Sequence, residues 1–315
     1  MKTTFGRWGW LLMTAMIASA ATAQESRPST RPTPAPVYDE KADAKADIAA
    51  AVKRAGAENK RVLVVYGANW CGWCKLLAEF FKTEKAIAKT LFYEYEIVKV
   101  DVARFDKNVD IATGYGADIK QGIPYLTVLD GAGKVLTNQD TGSLENGPKH
   151  DAVKVQAFLE KWKATPLDAE EVMKTALATA AKDKKQVMAH FGAPWCGWCK
   201  RFEQFFSRTD PAAIMATDYL IVKIDIDRMT HGKDLEKRWR KKEGGIPWIA
   251  VLDDKGEPRV VSEDAKGDTI GHPWEPAEVD VFMDMLAKTR KSMTDAQMET
   301  LKKLLLAQKA EQKAK

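Results

Sequence analysis

Residues 69–75 read NWCGWCK and residues 194–200 read PWCGWCK, and the chain's four cysteines, Cys71, Cys74, Cys196 and Cys199, all fall in these two segments. Cysteines spaced this way have three chemical uses. A structural staple explains them poorly, because a disulfide across so short a loop removes little chain entropy. A stapled secreted scaffold also spreads its cysteines to close long loops. Four thiolates can instead enclose a zinc ion. Against that, 121 residues separate the pairs (196 − 74 − 1), and no histidine stands at ligand spacing beside either. The third use is a dithiol that opens and closes reversibly by exchange with other sulfurs. CxxC alone does not choose between the last two uses; with the pairs so far apart, no metal and no cofactor is expected.

The elements that must position these sulfurs occur twice. Each half opens with a helical pattern, 39–59 and 168–184, the second with Asp168 and Glu171 as a capping pair. An apolar strand follows, RVLVVYG (61–67) or QVMAHFG (186–192). The cysteine motif then opens a second helix, with Phe80 and Phe81, or Phe205 and Phe206, on one face. Next come EIVKVDV (96–102) and LIVKIDI (220–226), both strand-like in their β-branched content. A polar helical stretch leads to GIPYLTVLD (122–130) and GIPWIAVLD (245–253), each followed by a glycine turn and a short strand. A last amphipathic helix turns Val155, Phe158, Leu159 and Trp162, or Val279, Phe282, Met283 and Leu286, inward. The offsets stay nearly constant: 125 for the first cysteines (196 − 71), 124 for Lys99 and Lys223 (223 − 99), 123 for Pro124 and Pro247 (247 − 124). The chain is a duplication of an α/β unit. After it, Thr294 and Gln297 cap a final helical pattern carrying Met298, Leu301, Leu304 and Leu305, expected to pack on the second half before a basic tail.

Both halves, 38–165 and 166–291, resemble thioredoxin domains: a strand, WCxxC at a helix start, then an Ile-Pro loop before a strand hairpin. The resemblance implies two tandem thioredoxin-like domains, each a central mixed sheet flanked by helices, plus a C-terminal helix. It implies thiol–disulfide exchange with protein substrates and with a separate redox partner. The reactive species is a thiolate, and a helix N-terminus favours that anion. Cys71 and Cys196 are then the exposed nucleophiles, while Cys74 and Cys199, one turn in, resolve the mixed disulfide.

Trp70 and Trp195 match the tryptophan that precedes the nucleophile in the family. Trp73 and Trp198 stand where thioredoxin has proline, supplying an apolar surface for a peptide. By the same resemblance Pro124 and Pro247 are cis and face the disulfide, with Ile123 and Ile246 pairing with the substrate backbone. Tyr125 and Trp248 follow, either shaping partner choice or packing as strand residues. One position departs from the family: its buried aspartate is replaced by Val65 in the first half and His190 in the second. The accompanying lysine is kept as Lys99 and Lys223. Domain 1 therefore lacks a carboxylate base there, and His190 is either a proton relay or an ordinary strand residue. His150, His231 and His272 belong to no constellation, and KRWRKK (237–242) reads as a solvated helix face. The competing function is a binding module or chaperone whose cysteine pairs stay oxidised.

The bulk figures agree with a two-domain globular protein: 315 residues, 45% apolar, 30% charged, formal charge +5 spread along the chain. No nucleic-acid signature is present. Lys2 and Arg7 precede an apolar run, Trp8–Ala21, that ends in Ala21-Thr22-Ala23, the order of a secretory signal. The run is 14 residues (21 − 8 + 1), short of the roughly 20 that a membrane span needs. The expected arrangement is a cleaved signal at 1–23, a proline-rich linker at 24–37, and an exported monomer, periplasmic or extracellular, without stable membrane insertion.

Overall fold

The first strand of each half is apolar at nearly every position, a pattern that fits a strand covered on both faces. A computed structural model describes residues 35–313; the expected signal and most of the proline-rich linker lie outside the described residues. In the first half, helix α1 (Ala44–Glu58) leads into β1 (Arg61–Gly67), α2 (Gly72–Thr83), α3 (Lys85–Glu94) and β2 (Tyr95–Asp101). Then come α4 (Val109–Gly114), β3 (Tyr125–Leu129), β4 (Val135–Asp140), a small hairpin β5 (Glu145–Asn146) and β6 (Lys149–His150), and α5 (Ala152–Trp162). The sheet order is β2-β1-β3-β4. Strand β1 runs parallel to β2 and antiparallel to β3, so the sheet is mixed and β1 is interior. Alternation along β1 sends Val62, Val64 and Tyr66 against α1 and α4, and Leu63 and Val65 against α2, α3 and α5.

The second half repeats this plan with α6 (Ala169–Lys182), β7 (Gln186–Gly192), α7 (Gly197–Phe206), α8 (Thr209–Met215) and β8 (Tyr219–Asp225). It continues through α9 (Gly232–Trp239), β9 (Trp248–Leu252), β10 (Pro258–Val261) and α10 (Pro276–Thr289) to α11 (Asp295–Lys313). Its sheet order, β8-β7-β9-β10, is the same. Helix α11 does pack on this half: Leu301 and Leu305 are fully buried in one cluster with Phe282 and Leu286 of α10 and Ile214 of α8. Burying each such leucine contributes roughly 1.5–3 kcal/mol. Thr294 N–H donates to Gln297 Oε1 at 2.9 Å and Gln297 N–H to Thr294 Oγ1 at 3.2 Å, the expected reciprocal cap.

Three details differ from the sequence reading. Helix α1 begins at Ala44 rather than at 39, because the Asp43 carboxylate accepts the Ala46 amide and fixes the start there. The helix after each cysteine motif is followed by a second short one, α3 or α8; in the first half Glu84, in extended conformation, separates the two. The KRWRKK run is not one solvated face. Helix α9 ends at Trp239, and the Arg240 side chain folds inward to pair with Glu236 at 2.9 Å.

Both halves belong to one compact unit that starts at Val37. Their contact is centred on Arg228, which donates to the carbonyls of Glu58 and Asn59 at the end of α1, at 2.7 and 2.8 Å. The same guanidinium pairs with Glu94 at 2.9 Å. Nearby, Tyr93 donates its hydroxyl to Asp227 at 3.1 Å. A basic group at the open carbonyls of a helix C-terminus is favoured by the helix dipole as well as by the hydrogen bonds.

Candidate active sites

Cys71 and Cys196 are the N-caps of α2 and α7. Each is extended, and its Sγ accepts the amide of the second cysteine, Cys74 at 3.1 Å and Cys199 at 3.0 Å. Unpaired amides and the positive end of the helix dipole therefore face the first sulfur in both halves. Each pair is joined as a disulfide, Cys71–Cys74 and Cys196–Cys199. The first sulfur of each pair is the more open, but the exposed nucleophiles of the sequence reading are nearly closed over. Cys71 is 5% exposed against 1% for Cys74, and Cys196 4% against 1% for Cys199.

The Ile-Pro loops help to cover them. The Ile123 carbonyl oxygen lies 3.5 Å from Cys71 Sγ, and that of Ile246 lies 3.5 Å from Cys196 Sγ. Both Ile–Pro bonds are cis, as the resemblance implied. Threonines that went unnoticed in the sequence hold these loops: Thr141 Oγ1 donates to Pro124 O at 2.8 Å and Thr269 Oγ1 to Pro247 O at 3.3 Å.

Trp70, Trp195 and Trp198 are about half exposed, forming an apolar rim. Trp70 Nε1 donates to Ala103 O at 2.6 Å and Trp195 Nε1 to Asp227 Oδ2 at 2.8 Å, which orients the rings without hiding them. Trp73 is half-buried. Trp248 is not on this rim. It is fully buried, with its indole N–H on Glu263 at 2.9 Å, because it points into the core between β9 and α9. Tyr125 is half-buried against the equivalent core of domain 1. Of the two readings for this pair, strand packing describes Trp248 fully and Tyr125 in large part.

His150 and His272 do belong to a pattern. Each is buried behind the inner tryptophan of a motif, His150 edge-on to Trp73 at 5.3 Å and His272 stacked on Trp198 at 6.2 Å. Burial pushes both imidazoles below their usual range. The sequence signal was their offset of 122 (272 − 150), close to that of the prolines. His272 is further held by Gln308 of α11 at 2.8 Å. His231 remains on the surface, bonded to Asp168 at 2.7 Å.

Beneath the second cysteines the halves diverge. His190 is wholly buried on β7, opposite Lys223 of β8, and stacked on Phe202 at 4.6 Å. Burial, with the Lys223 and His272 charges, pushes its pKa down to about 3. Gly192 has both the His190 ring and Cys199 Sγ as near neighbours. A carboxylate that sequence reasoning missed is also present: Glu203, one turn after Cys199 on α7, pairs with Lys223 at 2.9 Å and lies 3.9 Å from His190 Nδ1. At the 125-residue offset of the cysteines, domain 1 has Ala78 (203 − 125) there and Val65 (190 − 125) on the strand. Burial and the Lys82 charge push Lys99 below its ordinary value. Domain 1 instead brings a phenol to its second sulfur. The buried Tyr38 hydroxyl and Cys74 Sγ both crowd Gly67, and burial with the Asp101 charge keeps that phenol protonated.

Glu203 and Lys223 also line a cavity of about 330 Å3 between the halves, with Lys200, Arg228 and, from domain 1, Glu58. Burial alone would raise the Glu58 carboxyl, yet Lys60, Lys223 and Lys200 together bring it below its usual value. The domain 2 cluster is thus electrostatically joined to domain 1.

A duplicated strand–CxxC–helix with a facing cis-proline loop defines a thioredoxin-fold protein with two CxxC sites. The thioredoxin-like family model matches residues 43–131 and 168–254, over half the chain, and the chain belongs to that family. Its fold is two tandem thioredoxin-like domains and a C-terminal helix. It is 31% identical over 177 residues to protein disulfide-isomerase erp38 of Neurospora crassa, covering 55% of this chain and 46% of that protein. It is 31% identical over 88 residues to thiol:disulfide interchange protein DsbD of Vibrio vulnificus, covering 28% of this chain and 15% of that protein. A solved disulphide isomerase from Xylella fastidiosa is 33% identical, over 41% of this chain and 98% of that one, with a TM-score of 0.38. The chain spans about half the length of the curated relatives it matches. No described helix is long and apolar enough to cross a membrane.

Proposed function

We propose that this chain is an exported thiol–disulfide oxidoreductase, periplasmic or extracellular, that exchanges disulfides with protein substrates and a separate redox partner through two dithiols. One observation carries the reading: in both halves the first sulfur caps a helix, accepts the amide of the second cysteine, and faces the Ile-Pro carbonyl. The names of the relatives, a protein disulfide-isomerase and a thiol:disulfide interchange protein, support it. The order of basic, apolar and small residues at 2–23 supports export.

In the reducing direction, the Cys71 or Cys196 thiolate attacks one sulfur of a client disulfide and expels the other as a thiolate. Cys74 or Cys199, as its own thiolate, then attacks the first cysteine's Sγ and releases the second client thiolate. Two electrons pass to the client and the protein disulfide closes; the reverse sequence oxidises a client dithiol. The helix N-terminus stabilises the anion on the first sulfur at each stage. Trp70, Trp73, Trp195 and Trp198 form the client-facing rim, and Ile123 and Ile246 offer backbone groups to the client strand. In domain 2, Glu203, paired with Lys223 and 3.9 Å from the neutral His190, takes the proton that Cys199 must lose, and His190 positions that carboxylate rather than accepting the proton. In domain 1 no carboxylate stands at that place, and the Cys74 proton passes to solvent, with Lys99 on β2 contributing as a cation rather than as an acceptor.

The test is reduction of insulin disulfides with dithiothreitol. Cys71→Ser and Cys196→Ser singly should each lower the rate, and together should abolish it. A chain that still suppresses client aggregation and shows no rate difference in the double variant is a binding module instead.

A further inference from the structure

Next to the domain 2 dithiol is a cleft of about 280 Å3 that opens between Trp195 and the Ile246 loop and is walled by α9. Four cationic side chains line it, Lys233, Lys237, Arg240 and Lys242, against two anionic ones, Glu236 and Glu243. Glu236 is taken up by Arg240, and Lys242 by Asp268 at 2.6 Å. Lys233 and Lys237 are exposed, stand one turn apart on the same helix face, and have no ion-pair partner among the described residues.

Arg240 forms part of the same lining. Its side chain is only 5% exposed, and its Nη1 donates to Glu236 at 2.9 Å and Gly244 O at 3.1 Å. Its Nε has no acceptor among the described residues. That nitrogen is closed to any ligand, and Arg240 serves as a fixed wall of the cleft beside Lys233 and Lys237. Gly244 makes the arrangement possible, since a Cβ at that position would collide with the Arg240 guanidinium. Domain 1 has nothing comparable. At the 124-residue offset of Lys99 and Lys223, Lys233, Lys237 and Arg240 correspond to Val109 (233 − 124), Thr113 (237 − 124) and Gly116 (240 − 124).

We propose that this cleft is a client subsite of domain 2 alone, one that takes the carboxylate of an Asp or Glu side chain close to the client's reactive cysteine. It rests on the oxidoreductase reading for the presence of a client. Charge complementarity at such a rim sets partner preference and association rate.

The test uses end-blocked peptides, so that only side-chain carboxylates count. Two disulfide-bearing peptides differ only in having Glu or Lys beside each cysteine, and a third carries Gln. With the full chain as Cys71→Ser/Cys74→Ser, the Glu peptide should exceed the Lys peptide in kcat/KM by roughly fivefold at low salt, the effect of two exposed ion pairs. The ratio should shrink toward unity near 1 M salt. Lys233→Glu/Lys237→Glu should invert the preference and leave the Gln peptide unchanged. The Cys196→Ser/Cys199→Ser chain should show no preference. Equal kcat/KM for the Glu and Lys peptides, or a preference that survives Lys233→Glu/Lys237→Glu, overturns the proposal. If no peptide is turned over, the oxidoreductase reading falls. Calorimetry with cysteine-free versions then decides the subsite: tighter binding of the Glu peptide, lost in Lys233→Glu/Lys237→Glu, upholds it, and equal binding overturns it.

Discussion

His190 gives domain 2 a pH-dependent stability that a single substitution should remove. Its imidazole is buried beside the dithiol with a pKa pushed from 6.5 down to about 3, by burial first and then by Lys223 and His272. Below pH 6.5 the unfolded chain takes up a proton that the folded chain refuses. The contribution is therefore complete above 6.5, declines as pH falls through that value, and levels off below about 3. Between pH 7 and pH 4 the loss is near 1.36 kcal/mol for each of about 2.5 pH units, or about 3 kcal/mol. His190→Val, which installs the residue domain 1 carries as Val65, abolishes this slope. Any packing loss it causes is the same at both pH values and cancels, and the Lys223–Glu203 pair remains. The assay is native-state hydrogen exchange of the β7 amides in the oxidised protein at pH 7 and pH 4, corrected for intrinsic exchange. The parent should lose about 3 kcal/mol more than the variant. Losses that agree to within about 0.5 kcal/mol would show that His190 is not held neutral, and the reasoning would fail.

Two further substitutions test the packing described above. Arg228→Ala strips the carbonyls of Glu58 and Asn59 of their donor and leaves Glu94 without its cation, for a loss of about 3 kcal/mol between the halves. Limited proteolysis of the segment between α5 and α6 should accelerate at least tenfold, and an unchanged rate would argue against a clamp. Gly67→Ala drives a methyl group into the Tyr38 hydroxyl and Cys74 Sγ, while Gly192→Ala meets a softer set of neighbours at 3.1 Å and beyond. The first should cost about 1–3 kcal/mol by thermal unfolding and the second distinctly less; equal losses would contradict the crowding.

Much of this was legible because duplication lets one half check the other. Matching offsets paired the strands, the four cysteines and the Ile-Pro segments of the two halves, and the thioredoxin resemblance supplied the mixed sheet and the cis prolines facing the disulfides. What escaped depends on tertiary neighbours. Glu203 sits on an amphipathic helix where a polar residue reads as surface, and only the fold brings it to Lys223. Tyr38 precedes any periodic pattern and is placed by Asn69, which accepts its amide at 3.0 Å and donates to its carbonyl at 2.9 Å. His150 ends the two-residue strand β6 and His272 lies in an irregular loop, and neither setting gives a local hint of burial. Trp248 could be read either way because alternation on a strand says which residues share a face, not what covers that face.

The cavity between the halves bears on any attempt to take the molecule apart. Cutting the chain after α5 would turn an inner wall into an outer one: Glu203 and Lys223 would lose the Glu58 carboxylate and meet bulk water instead. The excised second lobe would then carry a different distribution of charge beside its cysteines, so it would be a misleading stand-in for the same lobe in the whole molecule.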